Sequence, residues 1–538
     1  MMKRYISLLP TLLLAAIGIA QTTNNDTINR MVLVESTYNP IIAGAVKHNF
    51  IPEEVKPSMS KEQVVYADES VGLIHFDRQA QPAKATEVAY EDSYSGYAHL
   101  GYGNYNNLNG FAAYKWKFNA KNDLALKANA NGWNGKFRLD DDAQWRSHLY
   151  DMGFNADYNT LLGNVALNIG AHGTYHNYNY LGTNANIQQA ANLGGHLGIN
   201  GSAKERYHYH AIASYTHFGR STYFGEKVPH NESHIHGETS FGMELYEWGM
   251  ASVLLHVDAL LYQGLADYSD NYSFGITPQW EYWLGDFRFI SGFNMDFLIG
   301  ENVAHPLQIS PECSISYVPS NRFSALFTLD GGRDIHTFSS LYERSPYWAT
   351  TTQIRPSYTF LNAHLDGGLR IIEGLHLHIG GGYKILSDAL FETSIDTLGI
   401  TFTGINNHKA QVATADASIS YTHKDLVSLS AKSSYNYWIL QGNQALLARA
   451  PQFDTDIDVR VRIVPSLHTY TNLKWVVFTD VASRERAIID WSLGAHYTLN
   501  KRFAFFLDAH NLLNRRYSYY TGYPSQGFNV LAGAKFKF

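Results

Sequence analysis

Strict alternation of apolar and polar residues most constrains what this chain of 538 residues can fold into. In the stretch 453–463 every odd position except Thr455 is a large apolar residue, and every even position is Asp or Arg. The stretches 427–437 and 489–497 alternate in a similar way. Because successive side chains of a β-strand point to opposite faces, each stretch predicts a strand with one apolar and one polar face.

A soluble β-sandwich and a membrane-spanning β-barrel would both show this alternation, and the connections between strands favour the barrel. Charged residues make up only 17% of the chain and aromatic residues 14%, with the aromatics concentrated near strand ends. The alternation of short turns with long loops is typical of bacterial outer-membrane barrels, and counting them predicts about 22 strands. The predicted short turns include 285–286, 373–374, 424–425, 464–467 and 499–502, and the predicted long loops include 134–145, 177–188, 219–233, 331–360, 386–407 and 438–451.

Three regions follow from composition. Residues 1–20 carry Lys3 and Arg4 before an apolar stretch and end in small residues, as in a secretory signal peptide. Residues 21–92 are polar and rich in proline, and they predict an extended segment that lies in the periplasm or inserts into the lumen. Residues 93–538 carry the alternation and predict an all-β, antiparallel transmembrane barrel.

Charge, cysteine content and hydropathy exclude several other classes. The formal net charge is -7 and there is a single Cys, so the sequence predicts neither a nucleic-acid-binding protein nor a disulfide framework. No run of 18 apolar residues follows the signal peptide, so no membrane-spanning helix is predicted. We therefore expect the outer membrane of a Gram-negative cell, with membrane lipids and lipopolysaccharide around the barrel.

The C-terminus predicts how the barrel is assembled. Val530, Phe536 and Phe538 would share one face of the last strand, and the chain ends on an aromatic residue. An apolar strand with an aromatic tip can add to an open sheet edge through main-chain hydrogen bonds. This ending resembles the signal that the outer-membrane barrel assembly machinery reads, so that machinery is an expected partner.

A motif upstream of this strand resembles a known family. Residues 511–517 are followed by Tyr519, Tyr520 and the run 522–524, and together they resemble the closing hairpin of TonB-dependent outer-membrane receptors. In that family the penultimate strand carries an Asn-Leu-Phe-Asn-Lys/Arg-x-Tyr run. The matching residues are Asn511, Leu512, Leu513, Asn514, Arg515, Arg516 and Tyr517.

The resemblance implies a 22-stranded barrel, but it covers the barrel only. Family members carry a plug domain of well over a hundred residues, whereas the segment 21–92 is shorter and lacks the plug's strand pattern. A faint resemblance to the short motif that pairs with TonB is found in Met31, Val32, Leu33, Val34 and Glu35, although a buried strand would look the same.

The sequence predicts no enzyme and no cofactor, since HExxH, P-loop and GxSxG patterns are absent. Histidines two residues apart on a strand share a face, which makes them candidate metal ligands, although a polar lumen lining explains them equally. These candidates are His208 with His210, His376 with His378, and the group His230, His234, His236 and Glu238. Asp140, Asp141, Asp142, Asp267 and Asp270 are weaker candidates for calcium. The run 380–382 predicts either close backbone packing or a kink within a strand.

Two functions fit this sequence. The first is a transport pore or receptor for an extracellular solute, built as a barrel without the plug. The second is a structural subunit of an outer-membrane assembly, secretion or surface-export complex, with other outer-membrane or periplasmic proteins as partners. A barrel of about 22 strands has a wide lumen, so we expect the loops near 331–360 and 386–407, the segment 21–92 or a partner to close it.

Overall fold

The computed structural model describes residues 95–538 apart from 140–142, 183–186, 204–205, 222–228, 247–248, 266–267, 301–305, 351, 398, 441, 443 and 480–486. Several sequence predictions lie outside these described residues. They are the signal peptide 1–20, the segment 21–92 with the pentapeptide 31–35, and the candidate calcium ligands at 140–142 and 267.

Twenty-two strands form the wall of the described barrel. Their bounds are β1 Gly96–Gly103, β2 Leu108–Asn119, β3 Asn122–Arg138, β4 Gln144–Leu162, β5 Val165–Asn179, β6 Ile187–Ala203, β7 Tyr207–Arg220, β8 His230–Tyr246, β9 Gly249–Gln263, β10 Asn271–Leu284, β11 Phe287–Ile299, β12 Leu307–Pro311 with Cys313–Ser320, β13 Phe323–Asp334, β14 Ser357–Ile372, β15 Leu375–Thr397, β16 Ile400–His423, β17 Val427–Leu440, β18 Pro451–Val464, β19 Leu467–Phe478, β20 Ala487–Thr498, β21 Phe503–His510 and β22 Asn529–Lys537. The two segments of β12 pair with β11 in one register, so they are a single strand interrupted at Glu312.

The wall closes on itself between the first and last strands. β1 pairs antiparallel with β22 as well as with β2, and the neighbouring strands of the wall are all antiparallel. The Gly96 N–H donates to the Phe538 carbonyl at 2.8 Å, and the Phe538 N–H donates to the Gly96 carbonyl at 3.0 Å. This closure leaves no edge strand, and it confirms the predicted antiparallel barrel of 22 strands.

The connections between strands confirm the predicted alternation of short turns with longer loops. The ten connections that follow the even-numbered strands from β2 to β20 are short and join strand ends on the side of Gly96 and Phe538, whereas the remaining connections join strand ends on the other side. The predicted turns 285–286, 373–374, 424–425, 464–467 and 499–502 are all among these ten connections. In a bacterial barrel the short turns face the periplasm, so the opposite mouth is extracellular.

One predicted loop is wrong. Residues 386–407 form a hairpin, because β15 continues to Thr397 and β16 begins at Ile400, with pairing resumed at Ala389 and His408 after a bulge. The polar and glycine residues that indicated a loop have local roles instead. Asp388 occupies the bulge with a φ of 55°, and Gly399 occupies the turn with a φ of 72°. The hairpin extends the wall beyond the extracellular mouth.

The outer face of the wall is apolar, as a lipid-facing surface requires. Large apolar side chains stand exposed on alternate positions of the strands, among them Leu193, Ile309, Leu365, Ile379 and Leu507. At the periplasmic end, aromatic rings contact one another across the strands, such as Phe287 with Tyr317 at a centroid distance of 4.4 Å. Closure and this apolar exterior make the protein an outer-membrane β-barrel, as the sequence predicted.

Only small elements lie outside the wall in the described chain. They include the helix α1 Phe338–Arg344, the 3-10 helices Asn104–Asn106 and Gln444–Arg449, and the short strands Leu181–Gly182 and Trp348–Ala349. No helix among the described residues is long and apolar enough to cross a membrane. The main buried cluster lies at the extracellular mouth, where the connection between β13 and β14 packs against distant strands.

Candidate functional site

The connection between β13 and β14, described for residues 335–350 and 352–356, is called the inserted loop below. It was one of the two loops that the sequence proposed as closures of the lumen. Thr337 caps α1, because its Oγ1 accepts a hydrogen bond from the Ser340 N–H at 3.1 Å. After α1, the short strand Trp348–Ala349 pairs in parallel with Thr403 and Gly404 of β16. The sequence therefore gives this connection its own secondary structure.

One side of the inserted loop is bonded to strands β4 to β8. The Phe338 N–H donates to Oε1 of Glu232 at 2.8 Å, and the Tyr342 hydroxyl donates to Oδ1 of Asp151 at 2.9 Å. The Arg220 guanidinium donates to the Trp348 carbonyl at 3.0 Å and lies 4.0 Å from the centroid of the Trp348 ring. Hydrogen-bonding side chains of the wall thus hold both α1 and the short strand.

The other side reaches the hairpin β15–β16 and the connection between β21 and β22. Nε of Arg344 donates to Oε1 of Glu392 at 2.7 Å. The Tyr347 ring stacks on the ring of Tyr523. Because β4 lies ten strands from β14 in a wall of 22 strands, nearly on the opposite side, a loop with all these partners crosses the extracellular mouth.

An aromatic cluster fills the space around the inserted loop. Its buried members are Phe137, Trp145, Leu149, Tyr178, Tyr180, Ala190, Phe218, Phe338, Leu341, Tyr342, Tyr347, Trp348, Ala349, Ile354, Ile400, Phe402, Ile405 and Tyr523. Trp348 and Tyr347 are each 1% exposed, which is the packing of a protein core and not of a solvent-facing loop. The sequence did not predict this cluster, although the aromatic content of 335–350 was a usable signal.

Burial changes the titration of the loop's own groups. Burial, with help from the nearby Arg344 charge, lowers the pKa of His336 to about 3. The ring is therefore neutral at ordinary pH, and its Nε2 lies 2.6 Å from Oγ of Ser357. Burial also raises the pKa of the Tyr347 hydroxyl and of the Glu343 carboxyl. The docked loop thus carries an uncharged histidine that strongly acidic solution would protonate.

A polar pocket of about 470 Å³ opens beside the inserted loop, between the hairpin β15–β16 and the 3-10 helix Gln444–Arg449. Glu392, Asp396 and Arg449 line it together with several hydroxyl groups. Glu392 also binds Arg344 of the inserted loop and accepts from the Thr521 hydroxyl at 2.8 Å. One carboxylate therefore joins this extracellular pocket to the loop that crosses the mouth.

Below the mouth, the lumen wall carries a cluster that spans three strands. Nδ1 of His364 lies 2.8 Å from Asp366 on β14, and its Nε2 lies 3.1 Å from Asp416 on β16. The intervening strand β15 carries the glycine run 380–382. A Cβ at Gly380 would lie 2.7 Å from a carboxylate oxygen of both Asp366 and Asp416. The predicted close packing at this run is found, and its reason is the side-chain bridge over β15.

A second cluster joins two of the predicted metal ligands to a residue that the sequence did not indicate. His234 and His236 of β8 face the lumen, as expected, and both contact Asp258 of β9. Glu238 lies opposite His256 and is not part of the three-residue group. Asp258 was missed because the register between β8 and β9 brings it to the histidines.

The other predicted metal ligands that the structure describes do not come together in groups of three. His208 contacts Glu244 at 3.2 Å in an exposed pair near the periplasmic end, and His230 is buried at the extracellular end of β8. Asp270 accepts a hydrogen bond from the Tyr262 N–H at 2.9 Å. Among the described residues, the groups of three possible ligands that include histidine are the two clusters above, so neither His210 nor the pair His376 and His378 belongs to one.

The predicted charge pattern on β18 is found in the lumen. Asp456 pairs in register with Lys432 on one side and Lys474 on the other. The Asn472 amide donates to Asp456 at 2.8 Å, and Nε of Arg460 donates to Asp458 at 2.8 Å. Alternating charges of neighbouring strands therefore brace this part of the wall.

The family-like motif lies just beyond the penultimate strand and not within it, because β21 ends at His510. Asn511 and Asn514 adopt positive φ angles of 48° and 47°, which asparagine tolerates better than most residues. The Asn511 amide donates to the carbonyls of Arg515 and Gln526 at 2.8 and 2.9 Å. The motif therefore builds the tight start of the last extracellular connection.

The remaining motif residues hold that connection to the barrel. The Leu512 N–H donates to the Trp491 carbonyl at 2.9 Å, and Arg516 donates to the Leu139 carbonyl at 3.2 Å. Tyr517 is buried in a small cluster, while Leu513 is exposed. The predicted assembly residues lie at the seam, with Phe536 in ring contact with Phe538 at 5.4 Å and Val530 paired with Ala509 of β21.

This wall and its internally packed mouth define a large transmembrane barrel with the fold of outer-membrane receptors and transporters. An iron transporter, FrpB from Neisseria meningitidis (F3-3 variant), is similar with a TM-score of 0.66 at 12% identity, over 83% of this chain and 82% of that chain. The copper transporter OprC is similar with a TM-score of 0.61 at 10% identity, over 82% and 80%.

A third similar structure is the siderophore receptor PirA from Pseudomonas aeruginosa, with a TM-score of 0.60 at 10% identity over 82% of this chain and 80% of that chain. No protein-family model and no curated protein matches the sequence. The similarities establish the fold, and they confirm that the chain resembles the barrel of TonB-dependent receptors.

Proposed function

We propose that this protein is a non-enzymatic outer-membrane transport receptor, which admits an extracellular solute through its lumen when the inserted loop moves. The observation that carries the proposal is the inserted loop, which crosses the mouth of a polar lumen. Its attachments to the wall include the side chains of Arg220, Glu232 and Arg344. Since the wall strands pair with one another and not through the loop, the loop can leave the mouth without opening the barrel.

The similar structures support a transport role. Their names describe an iron transporter, a copper transporter and a siderophore receptor. A polar pocket at the extracellular surface, joined through Glu392 to the inserted loop, provides a place where an arriving solute could act on the loop. A solute that binds there and favours the undocked loop would shift the equilibrium toward the open mouth.

The segment 21–92 has a proposed role in the same function. We propose that the protein lacks the plug domain of TonB-dependent receptors and that this segment contributes to closure from the periplasmic side. The pairing of Met31–Glu35 with TonB stays a prediction. The barrel assembly machinery stays an expected partner, through the C-terminal strand that ends at Phe538.

Conductance of the purified full chain in planar bilayers tests the proposal. We expect low conductance for the natural chain and large, stable openings when residues 337–355 are replaced by a short Gly-Ser connection. A third protein lacking both 337–355 and 21–92 shows whether the segment also restricts the lumen. Folding of each protein is checked by heat-dependent migration on gels. Silence of both folded variants would overturn the transport proposal.

A structural role in a complex is the second candidate, and the dense packing of the mouth favours it. A barrel whose loop is buried like a protein core can act as a platform without ever opening. Purification of a tagged chain from native membranes, followed by mass spectrometry, tests this role. Stoichiometric outer-membrane partners together with silent loop variants would support the platform, whereas a solitary, conducting barrel would exclude it.

A further inference from the structure

The lumen wall near the extracellular mouth carries three possible metal ligands that converge on one point. Nε2 of His234 lies 2.9 Å from Oδ1 of Asp258, and Nδ1 of His236 lies 2.7 Å from the same oxygen. The three ligand atoms all lie within 4.8 Å of one another. Two residues of one strand and one residue of its neighbour therefore offer two imidazole nitrogens and a carboxylate oxygen on one face.

The spacing of these atoms suits a metal ion. Two ligands at right angles, each about 2.1 Å from a metal, lie about 3.0 Å apart, close to both nitrogen–oxygen distances seen here. Two histidines and one carboxylate on one face of a metal form a common set for divalent first-row transition metals, and they leave the remaining positions open. In this protein those open positions would face the lumen.

The surroundings support the ligands. The Asp258 side chain is 8% exposed, whereas the side chains of His234 and His236 are 21% and 28% exposed. The carboxylate is thus held firmly while the rings remain accessible from the lumen. Oγ of Ser273, on β10, lies 3.5 Å from the second oxygen of Asp258, which orients the carboxylate. Nearby, Nε2 of His256 lies 3.1 Å from Oδ1 of Asp296, so this ring pairs with Asp296 and not with Asp258.

The other cluster of the lumen is a poorer metal site, although it contains similar residues. Both ring nitrogens of His364 contact carboxylates, at 2.8 Å to Asp366 and 3.1 Å to Asp416. One ring cannot place both of its nitrogens on the same metal ion, so this cluster offers a single imidazole ligand, whereas the cluster on β8 and β9 offers two. This cluster is therefore a charge bridge, and it serves as the natural control for the site on β8 and β9.

We infer that His234, His236 and Asp258 bind a divalent first-row transition-metal ion on the lumen wall. The inference goes beyond the proposed function, because a binding site in the wall can exist whether or not the inserted loop ever opens. It predicts that the purified barrel binds the metal directly, in a measurement that involves no transport.

Titration with Co²⁺, followed by visible absorption, tests the inference on the full chain purified through a tag without histidines and treated with a chelator. We expect one Co²⁺ per barrel and competition by Zn²⁺. In the variants H234Q/H236Q and D258N we expect the affinity to fall by about 10-fold to 100-fold or more. The matched controls H208Q/H210Q and H364Q should keep the affinity of the natural chain.

Heat-dependent gel migration establishes that each variant is folded, and H234Q alone replaces the double variant if the latter does not fold. Bound Co²⁺ should also raise the melting temperature of the natural chain and not that of H234Q. Absence of Co²⁺ binding by the natural chain would overturn the inference. Loss of binding in a control with retention in H234Q/H236Q would overturn it as well.

Discussion

The ring of Tyr347 stacks on the ring of Tyr523 with centroids 3.6 Å apart and planes at 7° to each other. Tyr347 belongs to the inserted loop between β13 and β14, and Tyr523 belongs to the last connection, between β21 and β22. The Tyr523 hydroxyl also donates to the carbonyl of Thr401 on β16. This contact joins two loops that lie far apart in sequence, and it holds the inserted loop across the mouth.

Removal of this ring should loosen the mouth. Truncation of a buried aromatic side chain costs about 3 to 5 kcal/mol, so we expect Tyr347→Ala to undock the inserted loop for a larger fraction of time. Bilayer conductance should then show frequent openings that the natural chain lacks. The control is Tyr497→Ala, because Tyr497 is exposed on β20 and is distant from the loop in sequence and wall position. Equal conductance of both variants would contradict the role of the stack.

Acidic solution should weaken the docked loop through His336. Its pKa is about 3 in the docked loop and about 6.5 in an exposed chain, so the undocked state binds more protons between these values. The stabilisation is fully present above about pH 6.5 and is lost progressively as the pH falls toward 3. Limited proteolysis of the loop at a series of pH values measures this, and His336→Asn should flatten the profile. His208→Gln, at an exposed pair near the periplasmic end, should leave the profile unchanged.

Two neighbouring glycines of β15 should respond differently to the same substitution. A Cβ at Gly382 would lie 2.6 Å from Cδ2 of His364 and 2.7 Å from the backbone oxygen of Ala363, whereas at Gly381 the nearest atom is 3.4 Å away. Overpacking costs about 1 to 3 kcal/mol, so Gly382→Val should lower the temperature at which the barrel unfolds on heated gels. Gly381→Val faces the lipid and should unfold near the natural temperature. If both substitutions changed the unfolding temperature by the same amount, the cause would be the different β-strand propensities of valine and glycine, and not overpacking at Gly382.

Phe538, the last residue, should contribute more to barrel assembly than Lys537, its lumen-facing neighbour. Phe538 makes both backbone hydrogen bonds to Gly96 and stacks on Tyr114 at 5.9 Å. Deletion of Phe538 removes these contacts and the aromatic tip, so the amount of folded barrel in the outer membrane should fall several-fold. Quantitative blotting of membrane fractions measures this, with Lys537→Ala as the control. Normal assembly after the deletion would show that the tip is dispensable.

The closing motif offers a matched pair of substitutions. Asn511 is 1% exposed, has a positive φ and donates to two carbonyls, whereas Leu513 is 46% exposed. Asn511→Ala removes both hydrogen bonds and strains the backbone at a positive φ, at a cost of about 2 kcal/mol. We expect faster proteolysis of the last connection in Asn511→Ala and little change in Leu513→Ala. Equal protection of the two variants would show that the motif does not hold this connection.

Much of the fold could be predicted from the sequence, because strand side chains alternate and turns have strong residue preferences. The stretch 453–463 predicted the two faces of β18, whereas the pairing of Asp456 with Lys474 depends on the register that the turn at 465–466 sets. The hairpin at 386–407 could not be separated from a loop in this way. Asp388 and Gly399 look like loop residues until the pairing of β15 with β16 shows a bulge and a tight turn.

The candidate sites were less accessible to sequence reasoning. His234 and His236 were recognised because two residues on one strand share a face, but their partner Asp258 lies on another strand and depends on the register. The glycine run 380–382 was expected to pack closely, yet the bridge from His364 to Asp416 crosses a strand and leaves no local pattern. Arg220 and Tyr523, two partners of the inserted loop, are each separated from it by more than a hundred residues.

From the sequence by itself, an outer-membrane barrel of about 22 strands could be predicted, because that outcome depends on local alternation and on the lengths of connections. The tertiary structure decided which loop crosses the mouth and which polar side chains meet in the lumen. Those outcomes depend on the register of neighbouring strands and on the closure of the wall from Gly96 to Phe538. The register and the closure bring distant residues together through backbone pairing, and this pairing cannot be predicted from a short stretch of sequence.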